Sequence, residues 1–340
     1  MEKPWKPVLL FACAVIVMLS LRNCTSKDTP ESNIPGPTLV HEFDVFGTHA
    51  VLQLWGDRAV CDQAASAVED RMLELHDRIN LFDEDSELIQ LNQTAFDSPF
   101  ECSDELWDLL ETARRAYNET GGAFDVSVGP LMSLWGFNKK QKTYPTPEQV
   151  EKTLQAVGLD KVRFDDARHT VRFTHPDTYL DFGGIAKGYA LDLAVAIARE
   201  HGVDTGIIDL GGNIYCLENT PGDIESYTIG IRDPQWTGEL LETIELRDQA
   251  VATSGNYENF IMLDGKFVHH IVDPRTGYPV PNTASVTVVT HEGWVSDVFS
   301  TAIFVRGPEF AEHLIKIRPT ARVIFVCTTE GQKRETLRFP

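Results

Sequence analysis

From about residue 40 onward, short runs with the two-residue alternation of strands are interleaved with longer runs of helical periodicity, and the intervals between them are irregular. A doubly wound parallel sheet needs a crossover helix after each strand. This chain does not keep that rhythm, so it reads as α+β: one compact unit over 40–338, built of mixed sheets with packed helices. "VLQLW" (51–55) reads as a strand and "CDQAASAVEDRMLELHDRINLF" (61–82) as a helix. Ser103 is placed to cap a helix that stops at Gly121-Gly122, and Thr146, Pro147 and Gln149 spell a capping box. "VRFDDARHTVRF" (162–173) reads as a hairpin, and Asp264-Gly265 within "NFIMLDGKFVHHIV" marks another. "TGIIDLGGNIYCL", "YTIGIRDP", "ETIELRDQAVATSG" and "SVTVVT" supply further strands, and "WVSDVFSTAIFV" (294–305) a helix.

A chain of 340 residues with 42% hydrophobic and 24% charged side chains can bury a large core. Its net charge of −21 repels phosphate backbones, so a nucleic-acid partner is not expected. An anionic ligand would need local compensation from a cation, a helix N-terminus or a few basic groups. The six cysteines are scattered, with no CxxC pair and no histidine at zinc spacing. Cys61 and Cys102 are a candidate pair in an oxidising compartment, and buried free thiols are the plainer expectation.

Lys3 and Lys6 precede "VLLFACAVIVMLSL" (8–21), an apolar run short for a bilayer core of ~30 Å. This is the layout of a secretory signal over 1–24, with Cys24 where a bacterial lipoprotein carries its lipid. A retained, uncleaved anchor is the competing reading. Either one puts the mature domain on the extracytoplasmic, periplasmic side of a bacterial cell membrane. Residues 25–39, polar and Pro-rich at first, read as a flexible tether.

Three later stretches carry chemistry. In "YLDFGGIAKGYALDLAVAIAREHG" an apolar strand is expected to deliver Asp181, with two glycines before a helix bearing Lys187 in its first turns. Such glycines let an anion or its cation approach the backbone, although on glycine content alone a tight connection with a surface lysine is the plainer reading. In "SDVFSTAIFVRG", Asp297 and Thr301 stack on one face of an otherwise apolar helix. An acid on an apolar helix needs a partner or a cation, and a carboxylate with a hydroxyl suits a hard ion such as Mg²⁺. An exposed polar face or cap at Asp297, with Thr301 as packing, is the alternative. In "HHIVDPRTGYPV", alternation puts His270 on the face of Val268 and His269 on the face of Phe267. A histidine held at a strand end by the following turn can act as a base near neutral pH.

These stretches, with "IIDLGGNI", "GIRDP", "ATSGNYENF", "VFGT", "DEDSELIQLN" and "GGAFDVSVGPL", resemble the ApbE family in order and spacing across the whole mature chain. The resemblance implies an FAD:protein FMN transferase: FAD is split at its pyrophosphate with Mg²⁺, FMN is esterified to a Ser or Thr of a target protein, and AMP leaves. It implies a metal held by Asp297, Thr301 and a backbone oxygen of Gly184. Flavin contacts would fall on Phe46, Phe82, Ala123, Phe124, Asp125, Asp181, Lys187 and Ile271, with His270 assisting deprotonation of the acceptor hydroxyl. The implied acceptors are extracytoplasmic subunits of ion-pumping NADH or ferredoxin oxidoreductases. An FAD pyrophosphatase and a non-catalytic flavin-binding lipoprotein are the alternatives. Phe46 and Phe82 depart from the Met and Tyr common at these positions in the family.

Overall fold

The computed structural model describes residues 35–138, 143–235, 238–328 and 334–340. The expected signal, Cys24 and residues 25–34 of the expected tether lie outside them. The described end of that tether is already docked, so it gives way earlier than 39. Trp55 Nε1 donates to the Pro35 carbonyl at 2.8 Å, and Thr38 Oγ1 both donates to Gly56 O and accepts Gly56 N–H at 3.2 Å. Leu39 then opens the first strand, where its backbone groups find ladder partners.

Strands β1 (Leu39–Val45) and β2 (Thr48–Leu54) form a hairpin closed by Phe46-Gly47, both at positive φ (52° and 70°). This turn geometry matches the strand twist, at a steric cost for the phenylalanine. Helix α1 (Arg58–Ile79) is capped by Asp57, whose side chain accepts from Ala59 and Val60. After α2 (Glu87–Thr94) and β3 (Phe100–Glu101), α3 (Asp104–Thr120) starts at the Ser103 cap and stops at left-handed Gly121, as the sequence requires. Helix α4 (Gly129–Trp135) leads to α5 (Pro147–Leu154), where Thr146 and Gln149 form the capping box. Strands β4 (Val162–Asp165) and β5 (Thr170–Phe173) are the expected hairpin and pair with β3.

Next come α6 (Ala186–Glu200), β6 (Gly206–Leu210) and β7 (Asn213–Cys216). The ribbon of β8 (Tyr227–Arg232) and β9 (Leu240–Leu246) precedes β10 (Gln249–Gly255). A second ribbon, β11 (Phe260–Leu263) and β12 (Lys266–His269), turns at Asp264-Gly265. Strand β13 (Thr283–Thr290), α7 (Gly293–Arg306), α8 (Phe310–Ile317), β14 (Arg322–Thr328) and β15 (Arg334–Phe339) complete the chain.

Eight strands make one sheet in the order β1-β2-β6-β7-β10-β13-β14-β15, antiparallel throughout. Alternation along its strands builds two cores. One face, with Leu52, Leu210, Val286 and Phe325, lies under α1, α6 and α7. The other, with Ile207, Ile214 and Val251, is covered by Tyr227, Ile229 and Leu246 of the β8–β9 ribbon. A third cluster joins β11–β12 to α4 and α5 through Val268, Leu263, Trp135 and Val150. Cys61, Cys102, Cys216 and Cys327 are free thiols, the first three buried.

One expected element is missing: Thr178 to Asp181 forms no strand. The Asn92 side chain takes the place of a ladder there, accepting Leu180 N–H at 2.8 Å and donating to Leu180 O at 3.0 Å, while Asp181 N–H bonds Val126 O at 2.7 Å. A side-chain amide satisfies an extended backbone as well as a neighbouring strand does.

Candidate active site

Helix α7 is buried from Gly293 to Val305 except at Thr301, which is half-buried. An acid at its centre therefore needs partners. Asp297 Oδ2 accepts the N–H of Gly188, in the first turns of α6, at 2.8 Å. Glycine at 188 is what permits this approach, because a Cβ there would lie 2.5 Å from Gly293 O and 2.6 Å from Asp297 Cβ. One turn on, Thr301 Oγ1 lies 3.0 Å from Ser254 Oγ of β10, which is also 2.8 Å from Ser300 Oγ. Asp297 and Thr301 are thus one turn apart on α7, where the Thr301 hydroxyl lies 3.5 Å from the Asp297 backbone oxygen and beside Ser254.

Lys187 precedes Gly188 and sits within electrostatic reach of Asp297, Glu258, Asp209 and His270. Burial raises the pKa of Asp297, opposed by Lys187, Asn213 and the Gly188 N–H. Burial also pushes Glu258 up to about 7 and Asp209 up to about 6, again opposed by Lys187. Asp209 Oδ1 meanwhile accepts Gly212 N–H at 2.7 Å, pinning the Gly211-Gly212 turn between β6 and β7.

The donor chemistry around Asp297 fits a hard divalent cation. Among the described residues, no group of three or more His, Cys, Asp or Glu side chains could hold a metal. A cation here would use one carboxylate, hydroxyl and backbone oxygens, and phosphate oxygens of a ligand, the mixed set that Mg²⁺ accepts.

The adjacent histidines divide their labour. Alternation holds: the His270 ring lies 6.3 Å from Phe137 on the Val268 side, while His269 lies 6.5 Å from Phe267 on the other. His269 is nonetheless the more buried, because that side of the ribbon end meets Phe304 of α7. Its Nε2 donates to Val280 O at 2.8 Å and its Nδ1 accepts Ile271 N–H at 3.2 Å, so both nitrogens are committed. His270 Nδ1 donates to Asn259 O at 3.0 Å, which leaves Nε2 as the lone-pair nitrogen. Burial lowers its pKa to about 4, with His269 and Lys187 adding to the effect.

Part of the flavin-side candidate set meets at the turn ahead of α6. Phe124 packs on Gly184 so closely that a Cβ on that glycine would come within 2.9 Å of its ring, which brings 123–125 against 181–187. Asp181 Oδ1 accepts Gly183 N–H at 2.8 Å, and Oδ2 accepts Asn138 Nδ2 at 3.1 Å. Ala123 and Ile271 are buried. The Asp125 carboxylate faces inward: Oδ1 accepts Ser127 N–H and Oγ–H at 2.8 and 2.7 Å, and Oδ2 accepts Leu159 N–H at 3.2 Å. At this position the backbone, rather than the side chain, remains for a ligand. Phe46 stands edge-on to His76 at 5.6 Å, whereas Phe82 is 77% exposed on the turn after α1.

Residue-by-residue reading missed Ser254, Asn213, Glu258, Asp209, Phe137 and Asn138. The first four lie within "ATSGNYENF" and "IIDLGGNI", so the signal was polar residues beside tight glycine turns in otherwise apolar strands.

A sequence model of the ApbE family matches residues 46–325. The FAD:protein FMN transferase of Treponema pallidum is 34% identical over 257 residues, 72% of this chain and 71% of that one. Its counterpart from Haemophilus influenzae is 30% identical over 327 residues, 94% of this chain and 92% of the other. Among solved structures, the ApbE protein of Thermotoga maritima matches with a TM-score of 0.78 at 30% identity, over 87% of this chain and 96% of that one. The apo flavinyl transferase ApbE of Pseudomonas stutzeri gives 0.76 at 26% identity, over 88% and 94%. With its fold and its motifs alike in place, the chain belongs to the ApbE family.

Proposed function

We propose that this chain is a Mg²⁺-dependent FAD:protein FMN transferase that attaches FMN by a phosphoester bond to a Ser or Thr of an extracytoplasmic redox protein and releases AMP. The observation that carries the reading is a buried Asp297 carboxylate one helical turn from the Thr301–Ser254 hydroxyl pair, within electrostatic reach of Lys187, which also acts on a histidine whose Nε2 is unprotonated. Asp297, Thr301 and the Gly184 carbonyl would hold the cation. When bound, it supplies positive charge at the pyrophosphate and polarises a phosphoryl oxygen.

The chain's own groups account for the remaining steps. Lys187 attracts the anionic pyrophosphate into a protein of net charge −21. Phe124, Asp181 and the 123–125 backbone hold the flavin half. His270 Nε2 takes the proton of the incoming hydroxyl, the oxygen bonds the FMN phosphorus, and the bond to the AMP phosphate breaks with its electron pair leaving on AMP. Such a base contributes ~10²–10⁴-fold. Its low pKa keeps it neutral at pH 7, and pyrophosphate charge brought near it raises its basicity as the substrate binds.

Subunits of ion-pumping NADH or ferredoxin oxidoreductases are the proposed acceptors. Residues 1–24 are the proposed export signal, with attachment to the membrane through a lipid on Cys24 or a retained anchor. Among the described residues, no helix is long and apolar enough to cross a membrane.

The test incubates the protein with FAD, Mg²⁺ and an acceptor domain, following acceptor mass and AMP together. An FMN-sized mass increase, lost in Asp297→Ala, supports the transferase. AMP and free FMN with an unmodified acceptor favour the FAD pyrophosphatase. No AMP from the wild type leaves only a flavin-binding lipoprotein.

A further inference from the structure

We propose that Asn213 is a positioning residue for the cation site: its side-chain amide and the Gly188 N–H together clamp the Asp297 carboxylate toward the ion. The inference rests on the cation-dependent reading above and assigns a role to a residue outside the expected ligand set.

Asn213 is the first residue of β7, directly after Gly211-Gly212. Both glycines have positive φ, 64° and 92°, and a Cβ on Gly211 would fall 2.1 Å from Thr48 Oγ1. The turn is therefore restricted to glycine and wedged against the β1–β2 hairpin, with Asp209 locking it from the other side. So stiff a turn fixes where the Asn213 side chain points.

That side chain is 3% exposed, and its Nδ2 has no hydrogen-bond partner. A buried donor without an acceptor is uncommon and destabilising, so its retention calls for an explanation in another state of the molecule. Strand β7 packs against α7, which places Asn213 close enough to the Asp297 carboxyl to favour its charge, but the contact falls short of a formed hydrogen bond. An amide N–H₂ donates and cannot ligate a cation, so Nδ2 serves an ion only through an acceptor beside it. Asp297 is that acceptor. Oδ2 is already fixed by Gly188, and a second donor completes the carboxylate's orientation. Partners of this kind around metal ligands typically account for ~10–100-fold in affinity.

The test titrates the full chain with Mn²⁺ alone, reading free ion by electron paramagnetic resonance, for wild type, Asn213→Leu and Asp297→Ala. Thermal unfolding of each metal-free protein is recorded alongside. We expect Asn213→Leu to bind Mn²⁺ about 10-fold or more weakly, while its metal-free melting temperature stays equal or rises because the unpaired donor is gone. Mn²⁺ affinity within twofold of wild type in folded Asn213→Leu overturns the proposal. So does weaker binding that comes only with a lowered melting temperature, since that is a packing defect. If Leu prevents folding, Asn213→Ala is read by the same criteria. A wild type that binds no Mn²⁺, or an Asp297→Ala variant that binds it normally, overturns the cation reading itself and this inference with it.

Discussion

The Gly188 N–H donates to Asp297 Oδ2 across 2.8 Å, and the Cβ that Gly188 lacks would sit 2.6 Å from Asp297 Cβ. One hydrogen atom in place of a methyl group thus sets the spacing of α6 and α7 at the level of the carboxylate. Gly188→Ala must push the helices apart, costing about 1–3 kcal/mol. Urea denaturation should show that loss, and FAD-dependent AMP release should fall with it. Unchanged stability would mean the helices can slide.

Asn92 holds Leu180 by two hydrogen bonds where a strand was expected, and so fixes the backbone that presents Asp181. Asn92→Ala leaves a buried N–H and C=O unpaired, a cost of about 1–3 kcal/mol. Flavin affinity should drop together with stability. A variant that loses stability but keeps its full affinity would separate Asp181 from flavin binding.

Phe82 offers the opposite case. Exposed as it is, it contributes little to folding, and Phe82→Ala should change stability by less than about 0.5 kcal/mol. Ring contact with a flavin is worth about 0.5–1.5 kcal/mol, so the same change should weaken FAD binding by up to about tenfold in a fluorescence titration. Equal affinity would remove Phe82 from the site.

His270 should matter for rate and for acid stability. His270→Gln is expected to slow FMN transfer ~10²–10⁴-fold with FAD binding retained. Burial depresses its folded pKa to about 4, below the usual 6.5. Its neutral form therefore supports folding fully above pH 6.5, and that support is lost as pH falls through 6.5 toward 4. Wild type should lose stability relative to His270→Gln across that window. Parallel curves would show that the ring titrates normally.

Glu258 carries the reverse sign. Burial raises its folded pKa from 4.5 to about 7, so its contribution is fully present below pH 4.5 and lost as pH rises to 7. Glu258→Gln should gain on wild type over that interval, as measured by melting temperature against pH.

What the sequence made legible was local. Ser103, Thr146 with Gln149, and Asp264-Gly265 each act within a few residues, so their caps and turn form as written. The Asp297–Thr301 pair was readable for the same reason, because helical spacing alone stacks the two. Ser254 reaches Thr301 only after β10 pairs with β13 and α7 folds back over both, an approach that no local period encodes. The strand expected before Asp181 failed because Asn92, 88 residues from Leu180, outcompeted a ladder partner. Alternation set the two histidines on opposite faces but could not show that His269 would be buried, since Phe304 arrives from a distant helix.

The sheet order β7-β10-β13 has a consequence for how the protein comes into being. Most of the proposed flavin-side residues, from 46 to 187, come early in the chain, while Ser254, Ile271, Asp297 and Thr301 come later, between 254 and 301. A polypeptide halted before residue 301, whether on the ribosome or in passage across a membrane, lacks the complete set. On the proposed reading, cation binding is postponed until all but the last stretch of the chain has been delivered, and a truncated intermediate should not split the dinucleotide.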